Sequence, residues 1–101
     1  MRYGIMPQLG EIALIPFPFT DLTAQKKRPV LIISEVDDNN DFIGLAVTSK
    51  HKENNVIILN QQCLIEGCLP KESWIRTDKV FTFNTCLIVA SLAIVNKEIL
   101  E

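Results

Sequence analysis

Apolar positions along the chain recur at period two or gather in short runs, and no long segment holds the 3.6-residue spacing of an amphipathic helix. Glu11–Phe17 reads as a first strand, ended by Pro16 and Pro18 because proline cannot donate to a ladder. Thr20–Lys27 is a polar loop. Pro29 suits a strand start, and Val30-Leu31-Ile32-Ile33 then runs as a buried strand. Asp37-Asp38-Asn39-Asn40 is a turn signal between two apolar runs, which makes Phe42–Thr48 the third strand. Ser49–Asn55 is loop, Val56–Leu59 a fourth strand and Asn60–Leu64 a single helical turn. Gly67–Lys71 is loop. Ser73–Thr77 and Lys79–Phe83 are two further strands, or one strand bent at Asp78, and Leu87–Ala90 is another. Asn96 caps a short terminal helix with Glu98 in its first turn. Six or seven short strands at close spacing predict a mainly β protein, a small antiparallel barrel whose closure removes most exposed sheet edges.

A chain of 101 residues is expected to form one domain, residues 1–101, large enough for a core of its own. Hydrophobic residues at 48% and charged residues at 22% exclude a disordered tail. The net charge of −2 argues against a dedicated duplex-DNA binder, which carries a basic surplus. The charge is nevertheless segregated. Basic residues cluster at Lys26-Lys27-Arg28, at Lys50 and Lys52, and at Lys71, Arg76 and Lys79, while acids crowd into Glu35–Asp41. The fold can bring basic patches together. The longest apolar run, Cys86–Val95, is about half a membrane span. The N-terminal residues lack the order of a signal peptide. A soluble, cytoplasmic protein is expected, with no membrane partner. The spacing of Cys63, Cys68 and Cys86 fits no zinc pattern, so three reduced, partly buried thiols are expected, with no metal and no cofactor.

One series of residues is distinctive. Gly10-Glu11-Ile12 opens a strand, Pro16-Phe17-Pro18-Phe19-Thr20-Asp21 follows, and then Lys27-Arg28-Pro29-Val30-Leu31-Ile32-Ile33-Ser34. Downstream come Val47-Thr48-Ser49 and Ser73-Trp74-Ile75-Arg76-Thr77-Asp78-Lys79. From about Gly10 to Ala93 the chain resembles the PemK/MazF toxins of bacterial toxin–antitoxin pairs, most closely their PemK-like branch. The resemblance implies an SH3-like barrel, a homodimer, a metal-independent endoribonuclease acting on single-stranded RNA, and a cognate antitoxin that blocks the site.

The implied chemistry has definite needs. In metal-free RNA cleavage the 2′-hydroxyl attacks the neighbouring phosphorus. A base takes its proton, an acid protonates the departing 5′-oxygen, and cations stabilise the phosphorane. Arg28 matches the family's arginine before proline. Pro29 holds the Arg28 backbone extended, and a guanidinium fork suits phosphate. Thr48 and Ser49 match the Thr-Ser after the third strand, with hydroxyls able to bond a phosphate oxygen or orient Arg28. Arg76 and Asp78 match an Arg-x-Asp used as a catalytic pair in some branches. Residues two apart in a strand share a face, so the carboxylate can serve as base beside its cation. A paired Asp has a depressed pKa and is a modest base, and arginine is a poor proton donor, so both arginines are assigned mainly to charge stabilisation. The bland alternative is a structural salt bridge.

Catalytic expectations are therefore Arg28, Thr48, Arg76 and Asp78. RNA contacts are expected from Phe19, Thr20 and Asp21 in the first loop, from Lys26 and Lys27, and from Ser49 and Lys50. Phe19 is the favoured stacking residue; Trp74, in an apolar strand, is expected in the core or at a dimer interface. His51 is a minor alternative as general acid. The loop Leu22–Lys26 lacks the glycines of many MazF-type members, and Ala93 stands where glycine is common. Family members carry a longer terminal helix than Asn96–Glu101. Two rival expectations follow: a CcdB-like barrel that binds gyrase without cleaving RNA, and an inactive, shortened toxin that only binds an antitoxin.

Overall fold

The computed structural model describes residues 7–18, 25–48, 56–59, 61–69 and 73–96. Seven strands form one sheet: β1 (Glu11–Pro18), β2 (Gln25–Ile32), β3 (Asp41–Thr48), β4 (Val56–Leu59), β5 (Leu64–Gly67), β6 (Ser73–Asn84) and β7 (Ala90–Val95). Their spatial order is β4-β6-β3-β2-β1-β7-β5, with each neighbouring pair antiparallel. The two edge strands, β4 and β5, are consecutive in sequence and joined through a 3₁₀ turn at Gln61–Cys63. The sheet therefore curls into a half-barrel whose edges meet through that turn. The Asn96 N–H, just after β7, donates to the Cys63 carbonyl at 2.7 Å and fastens the turn. This is the small antiparallel barrel expected from the strand spacing.

Strand alternation sorts the core into two clusters, one on each face of the sheet. Leu31, Val47 and Ile75 meet Ile12, Leu59, Ala93 and Val95 on one face. Val30, Ile32 and Phe42 meet Ala13, Ile15, Phe83 and Ile88 on the other. β2 contributes to both, which is why Val30-Leu31-Ile32 is an unbroken apolar run rather than an alternating one. Gly44 lies where β3 must pass close to β2. A methyl there would collide with the Val30 side chain and press on the Leu31 carbonyl.

The acidic turn is built as its sequence suggests. Asp37 Oδ1 accepts the N–H groups of Asn39 and Asp41, each at 2.9 Å, and Asn40 takes a positive φ of 65°. Asn84, at the far end of β6, donates to the Asp41 carboxylate at 2.9 Å and accepts from the Cys86 N–H at 3.0 Å. It thereby links the turn to a second 3₁₀ turn at Thr85–Leu87.

Several boundaries differ from expectation. Pro16 and Pro18 do not end β1; they pair with Lys27 and Gln25 of β2. Pairing of β1 with β7 stops at Leu14, and pairing of β2 with β3 starts only after Pro29. Each proline therefore sits where its strand has one paired neighbour, the setting in which a missing N–H is tolerated. β2 begins at Gln25, inside the expected polar loop. β5 was not expected, because Leu64-Ile65-Glu66-Gly67, unlike the all-apolar Val56–Leu59, ends in a charged residue and a glycine. The last strand begins at Ala90 and runs to Val95; Leu87 belongs to the 3₁₀ turn. Cys63 is half-buried as expected, but Cys68 and Cys86 are exposed. The expected terminal helix falls on residues 97–101, outside the described residues.

Candidate active site

The site is built by strand register. β1 sets Ile15 opposite Arg28. β2 pairs Val30 with Ala46, and each shares its face with the residue two positions along its own strand, Arg28 on β2 and Thr48 on β3. Thr48 pairs with Trp74 of β6, and Trp74 with Ile58 of β4. Directly paired residues project from the same face of a sheet. Two paired sets thus lie on one face, Ile15 with Arg28 across β1 and β2, and Thr48, Trp74 and Ile58 across β3, β6 and β4. The first set begins at a fully buried isoleucine of one core, and the second ends at an edge isoleucine that is 47% exposed. Arg28, Thr48 and Trp74 between them are half-buried. Arg76 pairs with Val56, two residues from Trp74 in an unbroken β4–β6 register, and so shares this face.

Beyond Ile75 the β3–β6 ladder breaks. Val47 pairs with Ile75, but Leu45 pairs with Val80. Ala46 alone lies between the two β3 partners, whereas Arg76, Thr77, Asp78 and Lys79 lie between the two on β6. This bulge frees the segment from the β3 ladder, and Thr77, Asp78 and Lys79 within it are exposed. Within it the Arg76 guanidinium grips Asp78 at two points, Nε to Oδ1 at 3.1 Å and Nη2 to Oδ2 at 2.6 Å. This is the bidentate geometry that carboxylates and guanidinium groups favour. The hydrogen bond from Arg76 holds the Asp78 carboxyl below the usual carboxylate range.

The expected catalytic residues are thus distributed over β2, β3 and β6 around one end of one face. Arg28 from the first basic patch and Arg76 from the third stand on the same face with β3 between their strands; sequence separation concealed this, and sheet order produces it. Lys27 is exposed and, one residue from Arg28, projects from the opposite face. Lys26 pairs with Phe17 in the β1–β2 register. Phe19, Thr20, Asp21, Ser49, Lys50 and His51 lie outside the described residues. Trp74, expected in the core or at an interface, is half-buried and pairs with Thr48 and Ile58 on that face. The only sequence signal for this was its even spacing from Arg76. Among the described residues no group of three or more His, Cys, Asp or Glu is arranged to hold a metal ion. None of the described helical segments is long and apolar enough to cross a membrane.

A comparison with curated proteins found no match. A family model, the PemK-like, MazF-like toxin of type II toxin–antitoxin systems, matches residues 8–101, nearly the whole chain. The chain therefore belongs to the PemK/MazF-like toxins of type II toxin–antitoxin systems.

Proposed function

We propose that this toxin is a metal-independent endoribonuclease that cleaves single-stranded RNA selectively by sequence. The observation that supports it best is the placement of Arg28, Thr48 and Arg76 on one sheet face, with Asp78 bonded to Arg76. Two guanidinium groups and a hydroxyl are the donors a phosphorane needs, and a carboxylate stands beside one of them.

In the reaction, the 2′-oxygen attacks the adjacent phosphorus as Asp78 takes the 2′-proton. Charge gathers on the non-bridging oxygens, where Arg28 and Arg76 oppose it and Thr48 donates a hydrogen bond. The bond from phosphorus to the 5′-oxygen then breaks, and a proton delivered by water completes the 5′-hydroxyl. The products are a 2′,3′-cyclic phosphate and a 5′-hydroxyl end. Asp78 also fixes the direction of the Arg76 fork. The active form is a homodimer acting in the cytoplasm, and a cognate antitoxin silences it by covering this face. The first-loop residues Phe19, Thr20 and Asp21, together with Lys26, Ser49 and Lys50, complete the RNA contacts; Lys27, on the opposite face, is not among them.

The test incubates purified protein with a long single-stranded RNA in EDTA, beside Arg28→Ala and Arg76→Ala, and maps cut positions and end groups. Discrete cuts with cyclic-phosphate ends, absent in both variants, support the proposal. Intact RNA at micromolar protein overturns it and favours a toxin that acts by binding alone.

A further inference from the structure

The face that carries the arginines also carries the only tryptophan of the chain. We infer that Trp74 is a stacking platform for one unpaired nucleobase beside the scissile phosphate, a binding and positioning role that rests on the nuclease reading above. Its place in the sheet supports this. Thr48 borders it on the β3 side and Ile58 on the β4 side, and Arg76 follows two residues on, about 6.6 Å along the strand. Base and phosphate of a single nucleotide are offset on a comparable scale. A cation for the phosphate and an aromatic surface for the base therefore stand side by side on one face.

The strand beneath the indole is fixed from behind. Ser73 and Ile75 project from the opposite face and are buried, at 6% and 1% exposure. Ile75 belongs to a core cluster, and among the described residues both clusters are assembled without Trp74. The indole is thus held on a rigid element yet left half-buried at the surface. Such a side chain loses little freedom on binding, and its π-face accepts any base. The exposed Ile58 extends the apolar surface toward the sheet edge, where a neighbouring sugar or base edge can rest.

A single tryptophan allows a direct test without mutation. The probe is a mixed-sequence 2′-O-methyl oligonucleotide, which lacks the nucleophilic hydroxyl, and its binding is followed by anisotropy of a label and by intrinsic tryptophan emission. Binding is expected to quench the emission. Trp74→Ala is expected to weaken binding roughly 5- to 100-fold, the range for loss of one stacked base, and Trp74→Phe much less. An abasic substitution scanned along the oligonucleotide should weaken wild type by the same factor at one position and leave Trp74→Ala unchanged there. Binding without quenching overturns the inference while leaving the nuclease reading intact. Emission that responds to protein dilution but not to oligonucleotide assigns Trp74 to contact between copies and also overturns it. Absence of both oligonucleotide binding and RNA cleavage overturns the two together.

Discussion

Arg76 holds Asp78 through two different nitrogens, Nε at 3.1 Å and Nη2 at 2.6 Å, across a single intervening residue. The side edge of the guanidinium is therefore committed to the carboxylate. The remaining N–H groups lie along its outer edge, in the planar fork that suits phosphate. A lysine at this position offers a point charge and cannot serve both partners in one plane. Arg76→Ala is expected to lower kcat roughly 10²- to 10³-fold, as for loss of one preorganised donor in a transition-state site. Arg76→Lys should recover only a minor part of that loss. Initial rates on a short RNA containing one mapped cleavage site check both expectations.

Asp78 gives a pH signature. Its folded-state pKa is lowered chiefly by the hydrogen bond from Arg76, so the stabilisation linked to its ionisation is fully present above the unfolded-state pKa. It disappears as pH falls through the lower folded-state value, in the region below about pH 4. The stability difference between wild type and Asp78→Asn should therefore be constant from about pH 5 to 7 and shrink toward about pH 2, as read by denaturant titration. The same lowered pKa makes Asp78 a weak base at neutral pH. Its replacement by Asn should cost about 10²-fold in kcat, the low end of general-base effects, with no acid limb in the rate profile above about pH 5.

Gly67 is the backbone position least able to change. It has φ of +80°, and a methyl there would meet the Leu92 carbonyl and approach the Ala93 Cα to 2.7 Å. Both obstacles belong to β7 or its backbone, so neither can rotate away. Gly67→Ala should destabilise the protein by about 1–3 kcal/mol through strain and overpacking. Because β5 is an edge strand whose sole partner in the sheet order is β7, the loss should appear first as faster amide exchange in Leu64–Gly67.

The thiols should report the burial pattern. None of the three cysteines forms a disulfide; Cys68 and Cys86 are exposed, and Cys63 is half-buried with its Sγ 3.9 Å from the Ile58 carbonyl. Two thiols are expected to react rapidly with an aromatic disulfide reagent under native conditions and a third slowly, with all three equivalent in denaturant. Mass spectrometry of the early product should find Cys63 unmodified. Rapid labelling of Cys63 would mean that the turn joining β4 to β5 opens readily.

Much of this was legible in the sequence because it rests on local rules. The acidic turn at Asp37–Asn40 was marked by residues that bond their own backbone, and the runs around Val30–Ile32 and Phe42–Thr48 by burial of both or alternate faces. The prolines misled because a proline's cost depends on whether strands lie on one side or both, which neighbouring residues do not state. β5 was missed because its edge role is set by β7 and by a glycine conformation. For the site, the motif offered Arg28, Thr48, Arg76 and Asp78 as candidates, and it pointed to the family to which the chain belongs. Sequence determined the chemistry on offer: two guanidinium groups, a hydroxyl, a carboxylate and a lone tryptophan. Tertiary structure alone decided their assembly. The order β6-β3-β2 brings residues from positions 28, 48 and 74 onto one face of adjacent strands, and the bulge after Ile75 gives Arg76 and Asp78 room to meet. Register between strands far apart in sequence is fixed by the packing of both core clusters at once, and no local pattern along the chain encodes it.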